Sequence, residues 1–462
     1  MTAKLITSIY VEKLFGLYTY RLPEAGELSN AAILYGDNGV GKSSLLRLAF
    51  HLLSAANDRG HRTALFHTDF ESLKVELSSG VTLTAKVRQE QDLRVLTLEI
   101  IKGGKPQAIW DYHPRKESSA YLENEEVFIE VGPDGRQRIT TKRRVGQKAP
   151  ADSIPRGNDA YLPLLAQNAP KMFILNAERR LDSDTVANPS DEMELRRVMN
   201  YDEPKRINEL VARSREIALS QALGAASKWI GRKAILGANQ GSMNVHSVYV
   251  DVLHHLLAST AAQSGPSSAD TVPHLVKKLA DIESRMTEHA KYELATKLST
   301  GDFRKALSAR AKTKSKLAAE LLQPYIRSLE RRLEAVEPIY RLIDRFVNTL
   351  NGFLSDKTID FKLSQGFSIQ NRLGSPLKPA QLSSGEQQLL LLFCYVLIAR
   401  DHPSVFMIDE PEISLNIKWQ RQLIQSLLGI TDEATIQFVF ASHSMELLAQ
   451  HRTRVVRLVN KS

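Results

Sequence analysis

The amino-acid sequence predicts an α/β protein of two lobes, with an antiparallel β-sheet appended to the first lobe and a helical insertion between the lobes. Three observations lead to this prediction. A short apolar run, AAILYG, ends in a glycine-rich turn and is followed at once by a helical pattern over 44–56. Short alternating segments with turn signals fill residues 73–141, as is typical of an antiparallel sheet. Helical patterns then dominate 190–352, before strand patterns return at 355–375.

The predicted lobes and the insertion follow one another along the chain. We expect an N-terminal lobe over 1–187, a short coiled-coil-like helical insertion over 188–354 and a C-terminal lobe over 355–462. Within the insertion, residues 305–350 have sustained helical periodicity and few glycines. Pro324 and Pro338 are expected to kink this pattern or to divide it into successive helices.

Composition limits the class of protein. A chain of 462 residues, 43% of them hydrophobic, can bury a sizeable core. No run approaches the roughly 20 apolar residues that span a bilayer, and the first residues lack the pattern of a secretory signal. We therefore expect a soluble, cytoplasmic protein without a membrane partner. The single cysteine, Cys394, lies in an apolar run and is expected to be a buried core residue.

Residues 36–43, GDNGVGKS, match the phosphate-loop pattern G-x-x-x-x-G-K-[ST]. Glycines allow positive φ angles and close approach of backbone N–H groups to phosphates, and the following helix offers its positive N-terminus. Lys42 is expected to reach the β- and γ-phosphates of ATP, and Ser43 to ligate Mg²⁺. A chance glycine-rich turn is the alternative, which the flanking strand and helix disfavour. The predicted nucleotide-contacting residues here are Gly36, Asn38, Gly39, Gly41, Lys42, Ser43 and Ser44.

Two adjacent acids, Asp409 and Glu410, end an apolar strand that begins at Val405. Ligands of open α/β sheets bind at the carboxyl ends of the strands. Asp409 is placed to hold the Mg²⁺ shell, and Glu410 to polarise the attacking water as a catalytic general base. A solvated acidic turn is the alternative explanation, and the phosphate loop in the same chain disfavours it.

The segment LSSGEQQ (382–388) precedes another apolar helical pattern. Ser383 or Ser384 can cap that helix, and Glu386 belongs in its first turn. An ordinary helix cap therefore explains a serine and an early acid, but it does not require the whole string.

This string, at its spacing from Asp409, resembles the signature of ABC ATPases. The resemblance implies that Ser384 and Gly385 clamp the γ-phosphate of an ATP molecule held by a second copy, with Gln387 nearby. It also implies an ABC-type two-lobed ATPase core.

Two further segments resemble loops of the same family. After Pro411, EISLN resembles the D-loop, although Leu415-Asn416 stands where the usual pattern has Leu-Asp. The segment QFVFASHSMELL (437–448) resembles the switch strand. That resemblance implies that His443 is a catalytic residue, set against the γ-phosphate or the attacking water.

Two further assignments concern Glu178 and a group of aromatic residues. The segment Asn176-Ala177-Glu178-Arg179 resembles the turn of OLD- and SMC-like ATPases that takes the place of the Q-loop, which makes Glu178 a candidate nucleotide contact. A surface salt-bridging turn explains it equally well. Phe15, Tyr18 and Tyr20 are candidates for an adenine platform, although core packing of a strand is the commoner explanation.

The layout of the motifs resembles the SMC/RecF/OLD-like branch of the family, because 342 residues separate Lys42 from Ser384. Only 19 residues follow His443, so we expect no C-terminal Toprim nuclease of the kind that OLD proteins carry. The length, the basic helical arm and the ILNAERR turn look like the ATPase subunits of the PARIS anti-phage system. That resemblance implies a separate Toprim nuclease as partner.

The leading functional hypothesis is a nucleotide-switched scaffold. ATP would bridge two copies head to tail, within a homo-oligomer built from such dimers, with slow hydrolysis. The ATP state would hold or release the Toprim nuclease when a phage protein is sensed. A RecF-like DNA clamp that uses the basic face at 304–316 is one alternative; a net charge of +9 is compatible with it, and a solvated helix surface explains that face equally well. A Septu- or retron-type ATPase with an HNH partner is another.

Overall fold

The computed structural model describes residues 5–57, 59–90, 93–114, 125–131, 137–143, 154–176, 181–183, 204–242, 272–307, 312–413 and 415–461. The chain forms two compact units. The first unit comprises 1–187, 402–412 and 435–462, and the second comprises 188–401 and 413–434. The first unit therefore combines the beginning of the chain with two segments from its C-terminal part.

Within its described residues, the first unit contains two six-stranded sheets, a separate hairpin and four helices. Its strands are β1 (Ile6–Leu14), β2 (Tyr18–Leu22), β3 (Ala31–Tyr35), β4 (Ser72–Leu77), β5 (Val81–Glu90), β6 (Leu93–Lys102), β7 (Lys105–Tyr112), β8 (Glu125–Val131), β9 (Gln137–Arg143), β10 (Lys171–Leu175), β11 (Leu181–Ser183), β14 (Ser404–Asp409), β15 (Ile436–Ala441) and β16 (Val455–Arg457). Its helices are α1 (Lys42–Leu53), α2 (His61–His67), α3 (Asn158–Asn168) and α10 (Met445–Gln450).

The second unit is mainly helical. Its helices are α4 (Pro204–Ser242), α5 (Val272–Ala290), α6 (Gly301–Leu307), α7 (Lys312–Phe353), α8 (Ser384–Ala399) and α9 (Ile417–Ile430). In the part of this unit that the structure describes, one hairpin of β12 (Lys357–Lys362) and β13 (Gly366–Asn371) accompanies them.

The core sheet has the strand order β11-β10-β14-β15-β3-β16, and all its pairs are parallel except β10 with β11. Every residue of β14 and β15 is buried. Such continuous burial is typical of parallel strands that are covered on both faces. The sheet takes β3 from the predicted N-terminal lobe and β14 and β15 from the predicted C-terminal lobe.

The second sheet, β2-β1-β4-β5-β6-β7, is antiparallel throughout. Gly80, Gly103 and Gly104 have positive φ angles in its tight turns, as their turn signals predicted. The antiparallel sheet of the predicted α/β fold class is therefore confirmed, together with the helical segment. Strand β1 lies between β2 and β4 in this sheet. Among the described strands, β8 and β9 pair only with each other.

The two sheets of the first unit are joined by the side chain of Gln437, which is 1% exposed. Its Oε1 atom accepts a hydrogen bond from the backbone N–H of Ile6 at 2.9 Å, and its Nε2 atom donates to the carbonyl oxygen of Ile6 at 2.8 Å. Nε2 also donates to the carbonyl oxygen of Ser29 at 3.1 Å. A polar residue in a buried strand is stable here because its amide group is fully bonded.

In the second unit, α5 and α7 share a core of leucine and isoleucine side chains. This core includes Leu279 and Ile282 of α5 and Ile326 and Leu333 of α7. The helix α7 is continuous through both prolines, so the expected division at Pro324 and Pro338 is not observed. Tertiary packing of the long helix outweighs the local cost of each proline. Among the described residues, no helix has the length and apolar character required to cross a bilayer.

We expect replacement of Gln437 with leucine to lower the free energy of unfolding by about 2–4 kcal/mol, since the N–H and C=O groups of Ile6 lose their partner in a buried position. Urea unfolding of the purified chain measures this change. Gln370→Leu, at an exposed strand position, is the control and should change stability by less than about 0.5 kcal/mol. Equal effects of the two substitutions would contradict the assignment.

Candidate active site

The glycine-rich loop leads from β3 into α1 at the carboxyl end of the core sheet. Gly39 and Gly41 have φ angles of 83° and 87°, in the left-handed region that favours glycine. A Cβ atom on Gly41 would lie 2.9 Å from Cδ2 of Leu14, so a larger residue there would also have to displace that side chain. The loop ends at Lys42, the first residue of the helix. Its backbone N–H groups therefore lie at a helix N-terminus, where phosphate groups bind.

Lys42 is 5% exposed, and the loop folds around its ammonium group. The Nζ atom donates hydrogen bonds to the carbonyl oxygens of Gly36 and Asp37, each at 2.9 Å. Burial lowers the pKa of Lys42, and the negative charges of Glu410 and Asp409 oppose that shift. The ammonium group is thus held within the loop, where it can stabilise phosphate charge.

Ser43 and Asp409 bring two oxygen atoms together at the sheet edge. The Oγ atom of Ser43 donates to Oδ1 of Asp409 at 2.8 Å. Asp409 is 3% exposed. Burial raises its pKa, and the hydrogen bond from Ser43 and the charges of Arg47 and Lys42 lower it. A hydroxyl and a carboxylate oxygen are the protein ligands that Mg²⁺ takes beside phosphates, so this pair fits the predicted ion.

Glu410 adopts an unusual backbone conformation directly after β14. Its φ angle is 48°, and its N–H group donates to the carbonyl oxygen of Ala441 at 2.8 Å. Its Oε1 atom lies 3.4 Å from Nε2 of His443. Burial raises the pKa of Glu410 to about 7, assisted by a hydrogen bond to Glu412 and by the charges of Glu412 and Asp409. Strained conformations of this kind occur at functional sites, where the surrounding structure enforces them.

Glu412 is a site residue that the sequence analysis missed. Its Oε1 atom accepts hydrogen bonds from Oγ of Ser442 at 2.7 Å and from the N–H groups of His443 and Ser444 at 2.8 and 2.9 Å. These contacts hold the loop that carries the predicted switch histidine. The only sequence signal was a third acid in DEPE, which an acidic surface turn explains equally well.

The helix α8 begins at Ser384, and Ser383 is its N-cap. The Oγ atom of Ser383 accepts from the N–H of Glu386 at 3.4 Å, and a carboxylate oxygen of Glu386 accepts from the N–H of Ser383 at 2.7 Å. The buried carboxylate of Glu386 also accepts from Nζ of Lys357 at 2.9 and 3.1 Å. This capping box accounts for Ser383 and Glu386. It leaves Ser384 exposed at the first residue of the helix, beside the buried Gly385.

Gln387 stabilises the loop that precedes α8. Its Nε2 atom donates to the carbonyl oxygens of Pro379 at 3.2 Å and of Leu382 at 3.0 Å. Both hydrogen atoms of the amide are therefore used within the loop, and a nucleotide contact by Gln387 stays a prediction. The signature residues belong to the second compact unit, whereas the phosphate loop, the acidic pair and His443 belong to the first.

The predicted D-loop and Q-loop residues have different outcomes. The Oδ1 atom of Asn416 accepts from the N–H of Trp419 at 2.9 Å and caps α9. Asparagine serves this capping position as well as the aspartate of the usual family pattern. Leu415 is buried beside it. Glu178 lies outside the described residues, so its role stays a prediction.

The aromatic residues near the phosphate loop divide between two environments. Tyr20 is buried, and its hydroxyl donates to the carbonyl oxygen of Val40 at 2.9 Å. Tyr18 stacks on Tyr20 with the ring centroids 5.8 Å apart. Core packing therefore explains Tyr20, which supports the loop. Phe15 is 42% exposed, and an adenine contact by Phe15 or Tyr18 stays a prediction.

The predicted basic face is partly neutralised where it is described. Arg304 pairs with Glu283 at 2.7 Å, and Lys305 pairs with Asp302 at 3.3 Å. The side chains of its other members, Arg310, Lys312, Lys314 and Lys316, lie outside the described part of the chain. DNA binding by this face stays a prediction.

The arrangement at the edge of the core sheet indicates a class of protein. The predicted phosphate loop, acidic pair and switch histidine follow three neighbouring parallel strands, and the predicted signature residues belong to the second unit. This arrangement is similar to the nucleotide-binding core of ABC-type ATPases.

Comparisons of the sequence agree with that class. Residues 293–449, about a third of the chain, match the family model described as "AAA domain, putative AbiEii toxin, Type IV TA system". The spermidine/putrescine import ATP-binding protein PotA of Pseudomonas fluorescens (strain Pf0-1) is 36% identical over 69 residues, 15% of this chain and 18% of that protein. The molybdenum import ATP-binding protein ModC of Escherichia coli (strain K12) is 34% identical over 82 residues, 18% of this chain and 22% of that protein. The chain thus spans about a fifth of the length of the curated relatives it matches.

Solved structures of Smc head domains align with most of the chain at low similarity. The head domain from Pyrococcus furiosus, with an extended coiled coil and bound to the C-terminal domain of ScpA, has a TM-score of 0.34 and 12% identity, covering 96% of this chain and 91% of that one. The head domain from Pyrococcus yayanosii, with a coiled coil and joint, has a TM-score of 0.34 and 13% identity, covering 99% and 97%.

We expect Lys357→Met to destabilise the second unit by roughly 2–4 kcal/mol at neutral pH, because the buried carboxylate of Glu386 loses its cation. Burial pushes the pKa of Glu386 upward, but hydrogen bonds from Lys357 and Ser383 hold it below the ordinary glutamate value. A depressed folded pKa contributes stability above the unfolded pKa, and that contribution is lost as the pH falls through the folded value. The difference between wild type and variant should therefore be full at neutral pH and shrink below about pH 4.

Urea unfolding at neutral pH and below about pH 4 measures this dependence. Lys418→Met, at an exposed position of the same unit, is the control and should leave stability unchanged at either pH. A Lys357→Met effect of the same size at both pH values would contradict the ion-pair assignment.

Proposed function

We propose that the protein is an ABC-type ATPase whose catalytic site is completed by a second copy of the chain. One observation carries the proposal, namely the meeting of four side chains at one edge of the core sheet. Ser43 and Asp409 lie 2.8 Å apart, and Glu410 and His443 lie 3.4 Å apart. These residues follow three different strands. Nucleotide binding alone does not require the acid and histidine that accompany the phosphate loop.

The phosphate loop and Ser43 form the part of the site that binds the substrate. Backbone N–H groups of 36–43 and the ammonium group of Lys42 bind the phosphates of ATP. Ser43 and Asp409 would hold Mg²⁺, which would neutralise part of the phosphate charge. The chain therefore orients the γ-phosphate toward the end of β14.

Glu410 acts as the general base in this proposal. Its carboxylate accepts a proton from the attacking water. The backbone conformation of Glu410 and the contact with His443 together fix the direction of the carboxylate. A pKa of about 7 suits a base that works near neutral pH. His443 hydrogen-bonds to the γ-phosphate or to the water and so links the base to the substrate.

The signature helix supplies the other half of the site from a second copy. Ser384 is exposed at the first residue of α8, and a helix N-terminus carries a partial positive charge that favours phosphate. A head-to-tail dimer sets this N-terminus against the γ-phosphate held by the phosphate loop of its partner. ATP then bridges two copies, and higher homo-oligomers are built from such dimers.

The biological role that we propose is a nucleotide-switched scaffold in anti-phage defence. It holds a separate Toprim nuclease and releases it when a phage protein is sensed, as the likeness to the PARIS system implies. The wide separation of Lys42 from Ser384 and the helical insertion between them support this role, since import ATPases match the chain only over short segments. The family model that matches residues 293–449, described as "AAA domain, putative AbiEii toxin, Type IV TA system", supports a defence role as well.

Glu410→Gln tests the chemistry of the site. We expect ATP affinity to be retained and hydrolysis to fall by about 10²–10⁴-fold, because the amide cannot accept the proton of the attacking water. The ATP-bridged dimer should accumulate, since hydrolysis no longer separates the two copies. Phosphate release and sedimentation velocity with ATP measure these two changes.

Glu433→Gln is the matched control for that experiment. Glu433 also has a positive φ angle, 65°, but is exposed. Its replacement should leave turnover and dimerisation unchanged. Undiminished turnover in Glu410→Gln would refute the role of Glu410 as the base.

Capture of a partner tests the defence role. We expect the intact tagged chain, co-expressed with the products of its neighbouring genes, to retain a Toprim nuclease and to release it when cells are infected with phage. Lys42→Ala should alter retention, because the scaffold is set by nucleotide. Capture of an HNH nuclease instead, or of DNA with a steep dependence on salt, would contradict this role and favour the Septu-like ATPase or the DNA clamp, respectively.

A further inference from the structure

Glu412 binds the loop that carries the switch histidine. Its Oε1 atom accepts hydrogen bonds from Oγ of Ser442 and from the N–H groups of His443 and Ser444, at 2.7, 2.8 and 2.9 Å. The N–H group of Ser442 donates to the carbonyl oxygen of Leu34 at 3.2 Å, which ties the same loop to β3. One carboxylate oxygen therefore organises three consecutive residues of the switch loop.

Burial, and next to it the carboxyl group of Glu412, raises the pKa of Glu410. Glu412 thus interacts with Glu410 and binds the backbone of His443, whose Nε2 atom lies 3.4 Å from Oε1 of Glu410. Once the backbone of His443 is fixed, only its two side-chain torsions remain to set the direction of the imidazole. A charged acceptor makes these backbone contacts stronger than a neutral one would.

We propose that Glu412 is a positioning residue for ATP hydrolysis, which holds the switch loop so that the imidazole of His443 faces the Glu410 carboxylate. This inference rests on the proposed ATPase function. Glu412 acts through His443 and does not itself contact the nucleotide. Its removal leaves three donors without their acceptor, so the loop loses the conformation that directs the imidazole.

A double-mutant cycle tests the proposal. We expect Glu412→Ala to lower kcat by about 10–100-fold, by analogy with the loss of a residue that orients a metal ligand, with KM for ATP unchanged within about twofold. His443→Ala should also lower kcat, and the double variant should be no slower than His443→Ala alone, because Glu412 acts through that histidine. Glu412→Gln keeps one acceptor oxygen and should recover part of the rate. Glu433→Ala is the control and should be silent.

A second measurement reads the position of the imidazole without turnover. In protein labelled with ¹³C-histidine, the His443 resonance is the one that His443→Ala removes. Glu412→Ala should shift it, and Glu433→Ala should not.

The two measurements separate the possible failures. The proposal is overturned if the fold losses in kcat of Glu412→Ala and His443→Ala multiply in the double variant. It is also overturned if the His443 resonance does not shift in Glu412→Ala. If the wild-type protein shows no ATP turnover that depends on Glu410, the ATPase proposal is overturned instead. The His443 resonance then still decides whether Glu412 positions the imidazole.

Discussion

The parallel pairing of β3, β15 and β14 is the constraint on which the candidate site depends. Leu34 pairs with Ala441, and Ala441 pairs with Asp409, so three strands end in register at one edge of the sheet. Parallel strands bring their carboxyl ends to the same edge. For this reason the hydroxyl of Ser43 and the carboxylate of Asp409, 366 positions apart in sequence, meet at 2.8 Å. Burial of β14 and β15 on both faces keeps this register fixed.

The sheet edge concentrates charges that are costly to bury. Lys42 and Asp409 are almost fully buried, and the pKa of Glu410 is raised to about 7. Opposite charges and hydrogen bonds offset part of that cost, as for Ser43 with Asp409. The positive φ angle of Glu410 adds strain of about 1–3 kcal/mol. The hydrogen bond from its N–H group to the carbonyl oxygen of Ala441 helps to hold this backbone conformation. A sheet edge with these buried charges is less stable than an apolar one. Such a cost is typical of functional sites.

The sequence predicted the parts of the molecule whose chemistry fixes a local spacing. The glycines of the phosphate loop are one example, because Gly39 and Gly41 have positive φ angles in the tight turn before α1. The α/β class and the antiparallel sheet followed from periodicity and turn signals in the same way.

Contacts between distant segments could not be predicted. Glu412 bonds to Ser442 across 30 positions, Lys357 to Glu386 across 29 and Gln437 to Ile6 across 431. No spacing rule links such pairs. Of the two outcomes expected at Pro324 and Pro338, a kink or a division, the division is not observed, because packing of the long helix outweighs a local penalty.

Mixing two inactive variants tests most directly whether one chain contributes to the nucleotide sites of two copies. Lys42→Ala removes the ammonium group that we propose binds phosphate, and Ser384→Arg blocks the N-terminus of the proposed signature helix. Each variant alone should lack ATP hydrolysis. An equimolar mixture should recover about a quarter of wild-type turnover, since half of the dimers are mixed and each mixed dimer holds one intact site, with Lys42 from one copy and Ser384 from the other. A mixture as inactive as the separate variants would contradict the composite site.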